Sequence, residues 1–242
     1  MSHSLIEVIC VVLAISVSSQ LCEQIAKIRR KIQRIDKSKV LFLDETHKRL
    51  SDAATDTIVL PGEPSNIEVA DTSSYAARYD MIACCTGKEV LPPIIYAPNE
   101  RQKGINKRML HQYIQNLLAQ SAGALDRYPL CLIIDRATIH HEEEILQEFH
   151  DWGCQELQEV IRMPAAAAKR LSPLDNSLFN VWRQRVLKDG KLTQRNIKQR
   201  MSDAWNTITF QDIKPQYDNC GFRRGDDVYF DCPCPSIHQH GR

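Results

Sequence analysis

The sequence lacks the features that place a protein in a membrane or on a secretory route. The uninterrupted apolar part of residues 5–17 runs only from Val8 to Ile15, which is too short to span a bilayer. A signal peptide begins with positive charge, and the opening MSHSLIE has none. We therefore interpret residues 5–17 as a helix that is buried or binds a partner, with a signal peptide or an anchor as the alternative.

The chain also has almost no net charge, and its cysteines lack the spacing of a secreted disulfide scaffold. The formal net charge is +1 over 242 residues, of which 43% are hydrophobic and 25% charged. These values are typical of a soluble globular protein with a sizeable core, and the length fits one large domain or one and a half. Nine cysteines without the spacing of a secreted scaffold indicate a reduced, intracellular chain with several buried thiols.

Two stretches depart from this balance because they are strongly basic. Lys27–Lys39 contains seven Lys or Arg and one Asp, and Lys169–Arg200 contains nine against two Asp. Such runs favour a polyanion partner, or they are solvated helix faces. The first run surrounds a helical apolar stripe, so it can lie on phosphates, serve as a nuclear address or pack on the core. The stripe consists of Ile25, Ile28, Ile32 and Ile35.

Two apolar runs end on carboxylates. Leu130–Ile134 has no polar break and ends at Asp135, while Val40–Leu43 ends at Asp44 and Glu45. An unbroken apolar run predicts a strand buried on both faces, and open α/β sheets bind ligands at the carboxyl ends of their strands. The alternative is that Asp135 only caps the helix predicted after it.

A third carboxylate, Asp175, begins a predicted helix. Ser172 is placed as its N-cap, Pro173 as its first residue and Asp175 as its third. Asp175 precedes Phe179 by four residues and Trp182 by seven, so it projects from the apolar face toward the core. The alternative is that Asp175 only complements the helix dipole.

The order of the remaining elements predicts an α/β fold with a mixed sheet. Arg78–Cys85 and Val90–Tyr96 flank a turn at Thr86–Lys88 and predict a hairpin. Pro92 and Pro93 argue against a central position for its second strand. Further strands and helices alternate, so antiparallel hairpin strands join parallel ones, with helices on the flanks. We divide the chain into an apolar then basic helical segment at 1–38, a main domain at 39–210 and a C-terminal tail at 211–242.

Three converging carboxylates would repel one another at low effective dielectric. Divalent cations relieve such repulsion, and Mg²⁺ takes oxygen ligands while keeping water and substrate phosphates in its shell. Two such ions can activate the attacking oxygen and stabilise the leaving one in phosphodiester displacement. The sequence shows neither a Walker-type glycine loop nor a Ser-His-Asp set.

Three patches resemble the motifs of one family, the mariner-like DNA transposases of the DDE/D superfamily, whose catalytic domain is ribonuclease H-like. LFLDET at Leu41–Thr46 resembles the first-carboxylate motif, and LIIDRATIH at Leu132–His140 resembles the second. LSPLDNSLFNVW at Leu171–Trp182 resembles the third. Ninety residues separate the first two Asp and thirty-nine the last two, a spacing similar to that of family members with an Asp in third position.

The resemblance implies what these residues do. Asp44, Asp135 and Asp175 would be a catalytic triad holding two Mg²⁺ or Mn²⁺ ions, in an endonuclease that cleaves and joins DNA phosphodiester bonds. DNA is the expected partner, a homodimer is one expected assembly, no membrane contact is expected, and the expected location is the nucleus. The basic residues expected on the DNA are Lys169, Arg170, Arg183, Arg185 and Lys188.

The sequence also departs from the family. Arg136 follows Asp135 where the family commonly has Asn, and the connector Pro164–Leu171 is longer than usual. Forty-three residues precede Asp44, too few for the two helix-turn-helix modules that such transposases carry there. A truncated or domesticated, non-catalytic nucleic-acid-binding protein is therefore the alternative, and a protein-interaction module using the apolar amino-terminal segment is a third hypothesis.

Three further groups are auxiliary candidates. His140 is a potential metal ligand or phosphate-positioning group, but a lone His at a strand end is more often a hydrogen-bonded structural residue. Glu45 either assists Asp44 or faces solvent, and we expect it to face solvent. The tail has zinc-ligand types at tight, unusual spacing, for which zinc binding is the minority interpretation. These are Cys232, Cys234, His238 and His240.

Overall fold

A five-stranded mixed sheet flanked by helices on both faces organises the protein. A computed structural model describes residues 19–50, 77–100, 104–121, 130–164, 166–188 and 192–222. The strands are β1 (Val40–Arg49), β2 (Arg78–Cys85), β3 (Val90–Tyr96), β4 (Cys131–Ile134) and β5 (Glu159–Arg162). The helices are α1 (described over 19–32), α2 (Lys107–Ser121), α3 (Glu142–Asp151), α4 (Ala168–Leu171), α5 (Phe179–Leu187), α6 (Ile197–Asn206) and α7 (Phe210–Asn219). A 3₁₀ turn covers Pro98–Glu100 and a π-helical turn covers Leu174–Leu178.

The strand order is β3-β2-β1-β4-β5. The pairs β3–β2 and β2–β1 are antiparallel, whereas β1–β4 and β4–β5 are parallel. The predicted mixed sheet and its hairpin are therefore confirmed. Pro92 and Pro93 lie on β3 at the edge of the sheet, the position that tolerates residues without an N–H donor.

Each face of the sheet covers its own hydrophobic core. Cys131 and Ile133 of β4 belong to the core beneath α1, α5, α6 and α7, which we call the first core. Leu132 and Ile134 belong to a second core beneath α2 and α3. Successive side chains of a strand point to opposite faces, and all four are buried, so the prediction of a strand covered on both sides is confirmed.

Two helices, α1 and α7, pack on the first core although they lie almost entirely outside the predicted main domain at 39–210. Ile25 and Ile32 of α1 are buried in it, and the Arg29 side chain donates to the backbone carbonyls of Cys220 at 2.7 Å and Arg170 at 3.2 Å. Among the roles considered for the basic helix, packing on the core is thus observed. Helix α7, which falls in the stretch assigned to a tail, buries residues in the same core, including Ile213. The exact domain boundaries stay a prediction.

Across the described ranges, none of the helices combines the length and the apolar character needed to cross a bilayer. The apolar stretch at residues 5–17 and the Cys/His group of the tail lie outside those ranges.

Candidate active site

Parallel pairing of β1 and β4 brings Asp44 and Asp135 to the same edge of the sheet. Val40 pairs with Cys131 and Phe42 with Ile133, and the same register continued by two residues sets Asp44 opposite Asp135. Because side chains alternate along a strand, Asp44 lies on the face of Phe42, which belongs to the first core. Asp135 follows the last residue of β4, and its charge acts on Asp44, so the two carboxylates lie at the same edge of the sheet.

Asp175 reaches this edge from the π-helical turn that precedes α5. The turn is anchored by Leu174 and Leu178, both buried in the first core. The backbone N–H of Asp175 donates to Ser172 Oγ at 3.4 Å, as expected of an N-cap serine. A side-chain hydrogen bond joins Asp175 to Asp44. Single π turns occur frequently at functional sites, and here one carries the third carboxylate.

Asp44 and Asp175 are acids that lie close together, and the pKa values of both are raised. Burial, together with the charges of Asp175, Glu45 and Asp135, raises the pKa of the Asp44 carboxyl well above its usual range. Burial and the charge of Asp135 also raise the pKa of Asp175, although the hydrogen bond with Asp44 and the nearby Arg183 oppose the rise. In the absence of a cation the folded protein therefore favours a proton on this pair.

The pKa of Asp135 is lowered, unlike those of Asp44 and Asp175, because His140 lies beside it. The hydrogen bond from the ring lowers the pKa of Asp135 despite partial burial, and the Ala137 N–H adds a second hydrogen bond at 2.8 Å. The His140 ring contacts Asp135 Oδ1 through Nδ1 at 2.7 Å and Glu45 Oε1 through Nε2 at 3.0 Å. Burial opposes charging of the ring, but these hydrogen bonds and charges outweigh it and raise the pKa of His140 to about 10.

The expectation that Glu45 faces solvent is wrong. Its side chain is only 18% exposed and accepts a hydrogen bond from His140. Strand alternation directs Glu45 to the face opposite Asp44, where the buried His140 ring supplies a partner. His140 is the hydrogen-bonded, buried residue that its position favoured.

The five predicted basic residues have different surroundings. Lys169, Arg183 and Lys188 are exposed, and Arg183 donates to Thr46 Oγ1 at 3.0 Å beside Asp175. Arg185 instead contacts the Thr207 carbonyl at 2.9 Å and Asp212 Oδ1 at 2.7 Å. Arg170 is partly buried. The exposed three remain candidates for phosphate contact, whereas the Arg185 guanidinium joins α5 to Thr207 after α6 and to Asp212 in the first turn of α7.

The donor set fits a hard divalent cation. Asp44, Asp135 and Asp175 offer only oxygen atoms, the ligands preferred by Mg²⁺ and accepted by Mn²⁺. The raised pKa values of Asp44 and Asp175 mark a concentration of negative charge that a bound cation would neutralise. Among the described residues, the potential ligand atoms that all lie within 4.8 Å of one another come from Glu45, Asp135 and His140, and the three aspartates do not form such a group.

Comparison with solved structures identifies the class of fold. The Mos1 transposase in a paired-end complex with the left transposon end matches with a TM-score of 0.64 and 14% identity, over 84% of this chain and 58% of that one. The catalytic domain of Mos1 mariner transposase matches with a TM-score of 0.56 and 12% identity, over 85% of this chain and 89% of that one. A Mos1 mariner paired-end complex with Mn gives a TM-score of 0.64 at 13% identity, over 84% of this chain and 59% of that one.

These likenesses show a ribonuclease H-like fold, as the sequence motifs implied. The particular fold is that of the Mos1 mariner transposase catalytic domain. The chain spans about 58% of the length of the transposase in the paired-end complex. Neither a protein-family model nor a curated protein sequence matches it.

The crowding of the acids predicts that Asp44→Asn stabilises the metal-free protein. Asp44 binds its proton more tightly in the folded than in the unfolded chain, so its contribution to stability falls as pH rises from the ordinary carboxyl pKa through the raised one. Asparagine avoids that loss. The gain should exceed about 1 kcal/mol at neutral pH, since a tenfold change in proton affinity corresponds to about 1.4 kcal/mol, and it should vanish near pH 3–4.

The measurement is urea unfolding in a metal chelator across pH. Asp151→Asn, at an exposed position at the end of α3, is the matched control and should show no such pH-dependent gain. A destabilised Asp44→Asn protein at neutral pH would contradict the crowding of the three acids.

Proposed function

We propose that this chain is a transposase-type endonuclease domain that uses divalent metal to cleave and join DNA phosphodiester bonds. The observation that carries the proposal is the meeting of Asp44, Asp135 and Asp175 at one edge of the sheet, with Asp44 buried and hydrogen-bonded to Asp175. The fold supports it, because the Mos1 structures of the same fold include paired-end complexes with Mn and with Mg.

In this proposal each acid has a ligand role. Asp44 would present oxygen atoms from β1, Asp175 from the π turn and Asp135 from the end of β4, so these three residues would hold the metal. Divalent ions held there would supply the charge that activates an attacking water and stabilises the leaving oxygen. Arg183, which donates to Thr46 near Asp175, would bind a phosphate oxygen of the cleaved strand. Nuclear location and a homodimeric assembly stay predictions.

A nicking assay on supercoiled plasmid tests this function. The full chain should convert supercoiled DNA to the nicked form with Mg²⁺ or Mn²⁺ and should leave it intact in a chelator. Absence of nicking with either metal, by a protein that melts cooperatively, would contradict the enzymatic proposal.

The second candidate is DNA binding without cleavage, and the exposed Lys169, Arg183 and Lys188 favour it. Replacing all three with Gln should reduce the slope of log K against log salt by about 2.7 in magnitude, because each phosphate contact on duplex DNA contributes about 0.9. Fluorescence anisotropy on a DNA duplex at several salt concentrations measures this slope.

Arg185→Gln is the control for charge loss, because it removes one positive charge from the helix that carries Arg183, at a position bonded to Asp212 and Thr207. It should lower the melting temperature and leave the slope unchanged. If the triple variant retains the wild-type slope, these side chains are a solvated helix face.

A further inference from the structure

We propose that Glu45 and His140 are positioning residues that fix the orientation of the Asp135 carboxylate and its distance from Asp44. The inference deepens the proposed function and rests on it, since it concerns how Asp135 is held for metal. It assigns to Glu45 a role that neither the apolar run of β1 nor the three-carboxylate pattern predicts.

The geometry of the His140 ring carries the argument. The ring is fully buried, and its two nitrogens face two different carboxylates, Asp135 at 2.7 Å and Glu45 at 3.0 Å. Ionised carboxylates only accept hydrogen bonds, so both ring nitrogens donate. A doubly donating ring is a rigid bridge, because rotating it breaks one bond or both.

The bridge connects separate parts of the chain. Glu45 follows Asp44 directly on β1, whereas His140 lies in the segment after β4, five residues beyond Asp135 and 95 beyond Glu45. A hydrogen bond from His140 to Glu45 therefore ties the segment that carries Asp135 to the strand that carries Asp44. The two proposed ligands are held at a set spacing by contacts of their neighbours.

The same contacts determine which oxygen of Asp135 is available. Asp135 Oδ1 lies 2.7 Å from His140 Nδ1, which also lies 3.3 Å from the Asp135 backbone carbonyl, and Oδ1 accepts from the Ala137 N–H at 2.8 Å. With Oδ1 engaged twice, Oδ2 is the oxygen left for a cation. Asp135 is partly exposed, with 38% of its side chain accessible, so without these two bonds its carboxylate would rotate more easily.

A metal site at Glu45, Asp135 and His140 themselves is the competing interpretation, because their ligand atoms lie within 4.8 Å of one another. A ring nitrogen that binds a metal cannot carry a proton, and both His140 nitrogens already lie at hydrogen-bond distance from carboxylate oxygens. The contacts are therefore those of a hydrogen-bonded bridge, and ligation by Glu45 becomes an outcome of the test.

The test compares Mn²⁺ binding by Glu45→Ala and Glu45→Gln on the full chain, by isothermal titration and by electron paramagnetic resonance. Glu45→Ala should weaken Mn²⁺ binding about 10–100-fold, as loss of groups that orient metal ligands typically does. Glu45→Gln should stay close to wild type, because its amide oxygen can still accept from His140. His140→Gln, which cannot bridge both carboxylates, should lose affinity as Glu45→Ala does.

His141→Ala is the matched control, since His141 is the exposed neighbour of His140, and it should bind Mn²⁺ like wild type. Thermal melts in chelator establish that each variant folds. Wild-type Mn²⁺ affinity in both Glu45→Ala and His140→Gln would overturn the proposal. Equal losses in Glu45→Ala and Glu45→Gln would also overturn it, because they would make Glu45 a direct ligand.

Failure of the proposed function has a different signature. In that case the wild-type protein itself binds no Mn²⁺ and Asp44→Asn is indistinguishable from it, and the positioning role falls with the metal site. Failure of the positioning role alone leaves wild-type binding intact and dependent on Asp44.

Discussion

Replacing Asp175 with Asn should abolish Mg²⁺-dependent nicking, with a loss of more than about a thousandfold, beyond the cost of removing one transition-state hydrogen-bond donor. Asp175 enters the site from the π turn and shares a hydrogen bond with the buried Asp44. An amide keeps the shape of the side chain and removes its negative charge, so the change tests the charge rather than the packing.

Metal-dependent stability gives an independent measurement on the same variant. A ligand that binds only the folded state adds about 2.7 kcal/mol at a concentration one hundred times its Kd, so Mg²⁺ should raise the melting temperature of the wild type. Asp175→Asn should lose that rise while folding normally in chelator. If Asp175 only complements the helix dipole, the change instead costs about 0.3–1 kcal/mol and the metal response persists.

Asp203→Asn is the control for both measurements, because Asp203 is an exposed aspartate on α6. It should nick DNA and respond to Mg²⁺ as the wild type does. Equal nicking, or an equal Mg²⁺ response, in Asp175→Asn and the wild type would remove Asp175 from the site.

The largest effect on folding is expected from Trp182→Ala, which should cost about 3–5 kcal/mol. Trp182 is completely buried, packs edge-on against Phe179 with ring centroids 6.4 Å apart, and donates from Nε1 to the Met201 carbonyl at 3.0 Å. Its removal leaves a cavity between α5 and α6 and deprives a buried carbonyl of its donor. Domains of this kind have total stabilities of about 5–15 kcal/mol, so the variant should be close to unfolding.

Urea unfolding measures this cost, with Trp152→Ala as its control. Trp152 follows α3 and is half exposed, so its loss should change the free energy of unfolding by no more than about 0.5 kcal/mol. Similar costs for the two tryptophans would contradict the assignment of Trp182 to the first core.

The two strands that carry the first two acids were predictable because burial leaves a direct trace in composition. Val40–Leu43 and Leu130–Ile134 are unbroken apolar runs, and a strand covered on both faces needs such a run. Asp175 was placed toward the core from its spacing to Phe179 and Trp182. The π turn itself was not predictable, because it depends on how Leu174 and Leu178 fit the first core.

The contact between Glu45 and His140 could not be predicted from the sequence, because it joins residues far apart in the chain. Glu45 and His140 are 95 residues apart, and no local pattern connects them. The basic runs were equally ambiguous, because composition does not distinguish Arg185, bonded to Asp212, from the exposed Arg183.

Helix α7 did leave a local signal, which the polar composition of its sequence obscured. Thr209 and Asp212 form a capping box at its start, the Thr-x-x-Asp arrangement that marks a helix N-terminus. Pro215 lies inside the helix, where proline is normally unfavourable. Its apolar residues Ile213 and Tyr217 are four apart and both buried, so the spacing was present within a stretch that looked like a tail.

The proline pair on β3 has a consequence for self-association. An open sheet edge offers unpaired N–H and C=O groups on which a strand from another molecule can add, the first step of many aggregation processes. Pro92 and Pro93 supply no N–H groups, so the outer edge of β3 cannot present a continuous ladder. On this side the sheet is protected against intermolecular growth, during folding as well as afterwards.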